Sequence, residues 1–207
     1  MSRKTKEINL PKRILILCEG ESEQIYLKGV KKTYYNRNSS IEVELYQPND
    51  FSPLGLTYEA KKKIKEAKKE YPYFSVWIVF DKDDHKNIDQ AFNAAIQNKP
   101  EIKIAFSNIC FEYWVLMHFE QKKSYFPSSA HLIKYLEKTH SFEYSKTMNI
   151  YEALKDRTEF ALKNCNWLLK QNKFDLDIAV KPYDLDAYTD FDQLYLFLIN
   201  IVKQDNK

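Results

Sequence analysis

The chain has 207 residues, 44% of them hydrophobic and 15% aromatic, which suits one compact unit with an appended piece rather than two independent domains. With 32 basic and 29 acidic side chains the net charge is +3, so no global positive field advertises nucleic acid, although uneven spacing leaves room for local patches. Three cysteines without CxxC spacing argue against a disulfide or zinc framework, and three glycines leave no room for a GxxxxGK[ST] phosphate loop or for ATP hydrolysis by that route.

The opening Met-Ser-Arg-Lys-Thr-Lys lacks the apolar run of a signal peptide, and no stretch reaches bilayer-spanning length. A cytoplasmic protein without membrane contact is expected. Residues 1 to 11 read as a loose lead-in ending at Pro11. Ile14 to Cys18 is apolar on both faces, as in a central parallel strand covered by helices above and below. Ser22, Tyr26, Leu27, Val30 and Tyr34 then recur at helical spacing, with Gly20 or Ser22 as the cap. Ile41 to Tyr46 alternates with period two and reads as a half-exposed strand toward the sheet edge.

Pro48 to Gly55 is loop chemistry leading into a helix from about Thr57 to Glu70. Its lysines, Lys61, Lys62, Lys63, Lys65, Lys68 and Lys69, make it the most positive segment of the chain. A solvated face is the favoured reading of such a run, and a phosphate-backbone track the sharper one. Val76 to Phe80 is the third strand, Asn87 to Asn98 a helix, and Ile102 to Ala105 a fourth strand. Alternation of strand and helix predicts parallel crossovers. Ser107 to Phe119 reads as a loop turning into a buried helix that carries Glu112 inward. Amphipathic helices follow at Ser129 to Thr139, Ile150 to Lys170 and Asp190 to Val202, with no further strand expected. The predicted organisation is an α/β region over 12–120, with a mostly parallel four-stranded sheet flanked by helices, and a C-terminal helical extension over 121–207 packed on it. The aromatic side chains of that extension should mostly be core, and the acidic Tyr183 to Phe191 run is a candidate partner-docking loop.

Two of the apolar strands stop at acidic residues. Glu19 and Glu23 lie one helical turn apart at the first strand-to-helix turn, and Asp81 and Asp83 flank Lys82 at the end of the third strand, followed by Asp84 and His85. Ligands of open α/β sheets collect at such strand ends. Carboxylates gathered this closely repel unless a cation neutralises them, and hard divalent ions choose oxygen ligands, so Mg²⁺, with Mn²⁺ as the substitute, is the expected cofactor. The blander readings are a helix N-terminus that favours Glu19 and Glu23, and an exposed aspartate-rich turn.

Glu19-Gly20 after one strand and Asp81-Lys82-Asp83 after another resemble the TOPRIM fold of topoisomerases, primases and overcoming-lysogenization-defect nucleases. More narrowly, Cys18-Glu-Gly-Glu-Ser-Glu23, Val79-Phe-Asp-Lys-Asp-Asp-His-Lys86 and Ser107-Asn-Ile-Cys-Phe-Glu-Tyr-Trp114 with His118-Phe119 resemble the RloB-like family, over residues 13 to roughly 120. Where that family usually has a proline after the asparagine of the third motif, this chain has Ile109. The resemblance implies a TOPRIM/Rossmann-like sheet with Glu19 as acid/base and Asp81 and Asp83 holding a metal ion that Glu19 would share. Glu23 and Glu112 are further ligand candidates; Glu112 bonded to backbone amides at a helix start is the alternative. His85 is a candidate proton donor or transition-state stabiliser, Asn108 a candidate phosphate-positioning or helix-capping group, and Lys82 and Lys86 candidate substrate contacts.

The family is encoded in restriction and phage-defence loci, often beside an AAA-type ATPase. The implied function is a Mg²⁺-dependent nuclease acting on DNA or RNA such as tRNA, a toxic effector working with that ATPase, with a homodimer as a candidate assembly. The competing class is a non-catalytic nucleic-acid- or nucleotide-binding module that docks the ATPase. Topoisomerase strand passage is not expected in a chain without a second large domain.

Overall fold

The computed structural model describes residues 10–35, 39–68 and 71–205. The expected lead-in before residue 10, Lys69 and the predicted helix end at Glu70 lie outside the described residues. The elements run β1 (Lys12–Cys18), α1 (Glu21–Tyr34), β2 (Ile41–Tyr46), α2 (Pro53–Ala67), β3 (Ser75–Asp81), α3 (Ile88–Ile96), β4 (Lys103–Asn108), α4 (Glu112–Met117), α5 (Ser129–His140), α6 (Ile150–Leu154), α7 (Thr158–Asp177), β5 (Tyr188–Thr189) and α8 (Phe191–Asp205). The sheet order is β2-β1-β3-β4-β5, parallel except for β5, which runs antiparallel to β4.

β1 explains why there are two cores. Ile14, Ile16 and Cys18 point to one face and join α1, α4 and the later helices, whereas Leu15 and Leu17 point to the other and join Leu56 and Ala60 of α2 and Ile88 and Ala95 of α3. Period-two geometry distributes one apolar run between both layers, and all five side chains are fully buried. The result is a helix–sheet–helix sandwich in which the first core draws on Trp114 of α4, Leu132 of α5, Tyr151 of α6, Cys165 of α7 and Phe191 of α8. Among the described residues no helix is long and apolar enough to cross a membrane.

The four expected strands are all present, with β2 at the edge. The fifth strand overturns the expectation that none follows β4. Tyr188 and Thr189 pair with Asn108 and Ser107, and the buried Asp190 carboxylate accepts a hydrogen bond from the Phe106 amide at 2.6 Å. The acidic run is therefore sheet edge rather than a free docking loop, although Asp184 and Asp186 remain exposed. α2 begins at Pro53, earlier than expected, because Ser52 accepts from the Gly55 amide at 3.1 Å and the proline sits in the first turn, where its missing N–H costs nothing.

The helix expected over 150–170 is broken by a 3-10 turn at Lys155–Arg157 and then continues to Asp177. The reason is packing. Tyr151 of α6 seats against Gly29 of α1, where a Cβ would overlap its ring, while α7 packs against α4. One unbroken helix cannot present a face to both partners.

Candidate metal centre

Because β1 and β3 are parallel neighbours with Cys18 opposite Val79, their carboxyl ends open on the same side. Glu19 follows β1 directly, its amide donating to the Val79 carbonyl at 3.0 Å. Its Oε2 accepts from the Asp81 amide at 3.2 Å, and Oε1 lies 2.6 Å from His85 Nε2. Asp81 is the last residue of β3, and its Oδ2 accepts from the Phe111 amide at 2.8 Å. Asp83 takes a positive φ of 32°, a conformation aspartate tolerates better than most residues, and its amide donates to the Ile109 carbonyl at 3.2 Å. The β4–α4 loop is thereby fastened twice to the acidic segment that ends β3, and it delivers Glu112 as the first residue of α4.

These segments enclose a cavity of about 140 Å³ lined by Glu19, Glu23, Asp81, Asp83 and Glu112, together with Ser22, Ser129 and Lys146. A wider hollow of about 470 Å³ shares Glu19, Asp83 and Ser129 with it and adds His85 and Ser128. Gly20 is what lets Glu23 turn inward: a Cβ at that position would overlap the Glu23 carboxylate. All five predicted carboxylates thus meet, and His85 stands beside them.

Electrostatics follow from burial. Glu23, 3% exposed, is pushed up to about 8, first by loss of solvent and then by repulsion from Glu112 and Glu19. Burial raises Asp81 well above the usual carboxylate range, reinforced by Glu23 and Glu112. Glu19 and Asp83 are raised for the same first reason, with His85 acting in the opposite direction on both. Cys18 is buried and its thiol is pushed up, so it belongs to the sheet rather than to any ligand set.

Five carboxylates outweigh Lys146 and the Cys110 thiol in this lining, and such an anionic, oxygen-rich donor set fits a hard divalent cation. Among the described residues Glu19 and Asp81 are already held by protein donors, whereas Glu23 and Asp83 take no hydrogen bond from another residue's side chain, and the Tyr144 hydroxyl lies close enough to act on Glu112. Among the described residues, however, no group of three His, Cys, Asp or Glu side chains is gathered tightly enough to hold an ion as it stands. Closure onto an ion would require side-chain rotation.

Asn108, Lys82 and Lys86 do not line the cavity or the hollow. Asn108 is 3% exposed and donates its amide to the Leu185 and Tyr183 carbonyls, tying the chain entering β5 to β4. Lys86 is exposed and Lys82 half-buried. The cavity also holds what sequence reasoning overlooked. Lys146 lies in the α5–α6 loop, and its charge acts favourably on both Glu23 and Asp83. Tyr144, two residues earlier, is buried and donates its hydroxyl hydrogen to Ser22 Oγ at 3.1 Å, which anchors that loop. A buried tyrosine between exposed polar neighbours was the one signal available. His118, with its pKa lowered to about 4 by burial, bonds the Trp114 carbonyl inside the core.

The family model described as RloB-like protein matches residues 14–195. No curated protein matches the chain.

Proposed function

The chain belongs to the RloB-like protein family, and from that premise we propose that it is a Mg²⁺-dependent nuclease of the TOPRIM type. The observation that carries the reading is the convergence of Glu19, Glu23, Asp81, Asp83 and Glu112 on one cavity at the carboxyl ends of parallel strands. Asp81, Asp83, Glu23 and Glu112 would hold the ion, which supplies Lewis-acid charge neutralisation and an activated water when bound.

The remaining work falls to the chain's own side chains. Glu19 has a raised pKa and a histidine at 2.6 Å, so it is suited to take a proton from the attacking water and pass it on through His85. The Asp81 and Phe111 amides each hold one oxygen of the Glu19 and Asp81 carboxylates, which fixes the orientation of both. The Lys146 ammonium offsets the charge that builds on a phosphate in attack. The wider hollow is large enough to admit a phosphodiester to Glu19 and His85.

In this reading the substrate is DNA or RNA, tRNA included, and the protein is the toxic effector of a bacterial anti-phage or restriction-associated defence system. It works in the cytoplasm with an AAA-type ATPase encoded nearby. The test is cleavage of DNA and RNA by purified protein with Mg²⁺ or Mn²⁺, against EDTA, with and without the ATPase. Cleavage that EDTA abolishes is expected; none under any of these conditions would overturn the reading. A second reading, a non-catalytic nucleic-acid- or nucleotide-binding module docking the ATPase, draws on the protein donors already engaging Glu19 and Asp81. Asp81→Asn separates them: a scaffold keeps defence activity, a nuclease loses it.

A further inference from the structure

A second hollow lies beside the carboxylate cavity, on the same edge of the sheet. It measures about 390 Å³, within the range of pockets that take a nucleotide-sized ligand, and is lined by Tyr46, Pro48, Asn49, Asp50, Gly55, Tyr58, Glu59 and Lys62. Tyr46 is the register partner of Leu17 in β1, and the next residue, Gln47, donates its side-chain amide to the Glu19 carbonyl at 3.3 Å. One residue therefore separates this groove from the site acid.

Its chemistry is aromatic and cationic. Tyr58, on the first turns of α2, is 60% exposed, and Phe51, in the loop before that helix, is 48% exposed. Lys61 Nζ stands 6.0 Å from the Tyr58 ring, Lys62 lies one turn further along α2, and Lys65 and Lys68 are exposed beyond it. Lys63 is different: it is engaged by Glu44 at 3.7 Å and by the face of Tyr46 at 3.8 Å, so it serves the fold. The acids of the groove are also engaged. Asp50 accepts from the Ser52 amide and hydroxyl and closes against Gly55, and Glu59 pairs with Lys62 at 3.5 Å. What is left over is one exposed ring and the file Lys61, Lys65 and Lys68, with Lys62 held by no more than its surface pair to Glu59, and these ammonium groups run about 10 Å along α2, at a helical rise of roughly 1.5 Å per residue.

We infer that this groove binds an unpaired stretch of nucleic acid, one base stacked on Tyr58 and the adjoining phosphates on Lys61, Lys62 and Lys65, and feeds it to the carboxylate cavity. The inference rests on the proposed nuclease reading and names its substrate class. A ring presented on a helix surface takes the π-face of a base that has left its stack, and the lysines recognise backbone without regard to sequence. A continuous duplex hides its base faces and would engage the lysines alone.

The test is fluorescence anisotropy with the full chain in EDTA, so that cleavage is silent, using labelled DNA and RNA single strands of about 12 nucleotides and the matching duplexes. Tyr58→Ala is expected to weaken single-strand binding by about 5-fold to about 150-fold, and Tyr58→Phe to restore it. Lys62→Glu with Lys65→Glu should weaken it and flatten its salt dependence, while Lys170→Glu on α7, far along the chain from the groove, serves as the charge control and should change neither. Single-strand affinity unmoved by Tyr58→Ala and by the lysine pair, or duplex binding as tight as single-strand binding, would overturn the inference. If those variants bind normally while Asp81→Asn still abolishes cleavage, the groove falls and the nuclease stands. If Tyr58→Ala loses binding but no condition yields cleavage, the groove stands and the nuclease falls.

Discussion

Two sets of carboxylates with raised pKa values sit at opposite sides of β4, and they behave differently. Asp190 is pushed up to about 7 and Asp192 to about 6, in both cases chiefly by burial, so by titration alone they look like the cavity acids. Asp190, however, accepts from the Phe106 amide at 2.6 Å and from the Tyr188 hydroxyl at 3.2 Å, and its own amide returns to the Phe106 carbonyl. Its neighbours account for it, and it fastens β5 to β4. The cavity group faces open volume instead, with five acids lining it, Lys146 standing among them and His85 beside Glu19. A raised carboxyl pKa therefore marks burial, while several acids converging on one open volume mark a site.

The comparison breaks most visibly at Asp81. Asp81→Asn keeps an oxygen for the Phe111 amide but removes the charge, so cleavage should fall by about 10³-fold or more, roughly 4 kcal/mol of transition-state stabilisation. The metal-free protein should fold at least as well as the parent, because a buried charge repelled by Glu23 and Glu112 has gone. Single-turnover cleavage and thermal unfolding in EDTA measure both halves, and a clear loss of stability would place Asp81 with Asp190 as a structural acid. Asp190→Ala should do the reverse. It strands the Phe106 amide and the Tyr188 hydroxyl, costing about 3 kcal/mol on urea unfolding, while activity per folded molecule stays unchanged.

The pH dependence sharpens the distinction. Glu23 has a folded pKa of about 8 against an ordinary value of 4.5, so between those values the folded state binds more protons than the unfolded state and stability falls as pH rises. From about pH 6 to about pH 8 the metal-free protein should lose about 2 kcal/mol through this group, and Glu23→Gln should remove that share of the slope while leaving the part that Asp190 and Asp192 contribute. Mg²⁺ should restore more stability at the higher pH, because ligation favours the ionised form. A slope left intact in Glu23→Gln would show that the cavity charge is not where burial places it.

The parts of the site carried by strands were legible because local rules and tertiary context agree there. β1 and β3 are apolar on both faces and stop at Glu19 and Asp81, and parallel pairing then leaves their ends no choice but to meet. The last sheet strand was not legible: two residues give no periodicity, and Tyr188-Thr189 sits among aspartates that read as loop. Asn108 stood inside a recognisable motif, yet its carboxamide holds the Leu185 and Tyr183 carbonyls, a partnership with a segment remote in sequence. The broken α6–α7 helix was hidden because each half obeys the same period and only the presence of two packing partners forces the turn. Lys146 was hidden for a different reason. It has no spacing relation to any acid it faces, and its loop is placed by Tyr144.

Tyr144 lies on the boundary between the two kinds of residue and gives the smallest of the expected effects. Its ring belongs to the core and its hydroxyl reaches Ser22 at the cavity wall. Tyr144→Phe keeps the ring and deletes only the hydroxyl, so the stability loss should be about 1 kcal/mol, the ordinary value of one hydrogen bond. Activity should fall several-fold beyond that, because the loop carrying Lys146 loses a fixed point beside the carboxylates, and a small displacement of a charged group is felt in rate before it is felt in stability. Chemical denaturation read beside single-turnover cleavage separates the two. Equal, small losses in both would make Tyr144 a core residue that happens to adjoin the cavity, and a loss in rate alone would make its hydroxyl part of how the site is held.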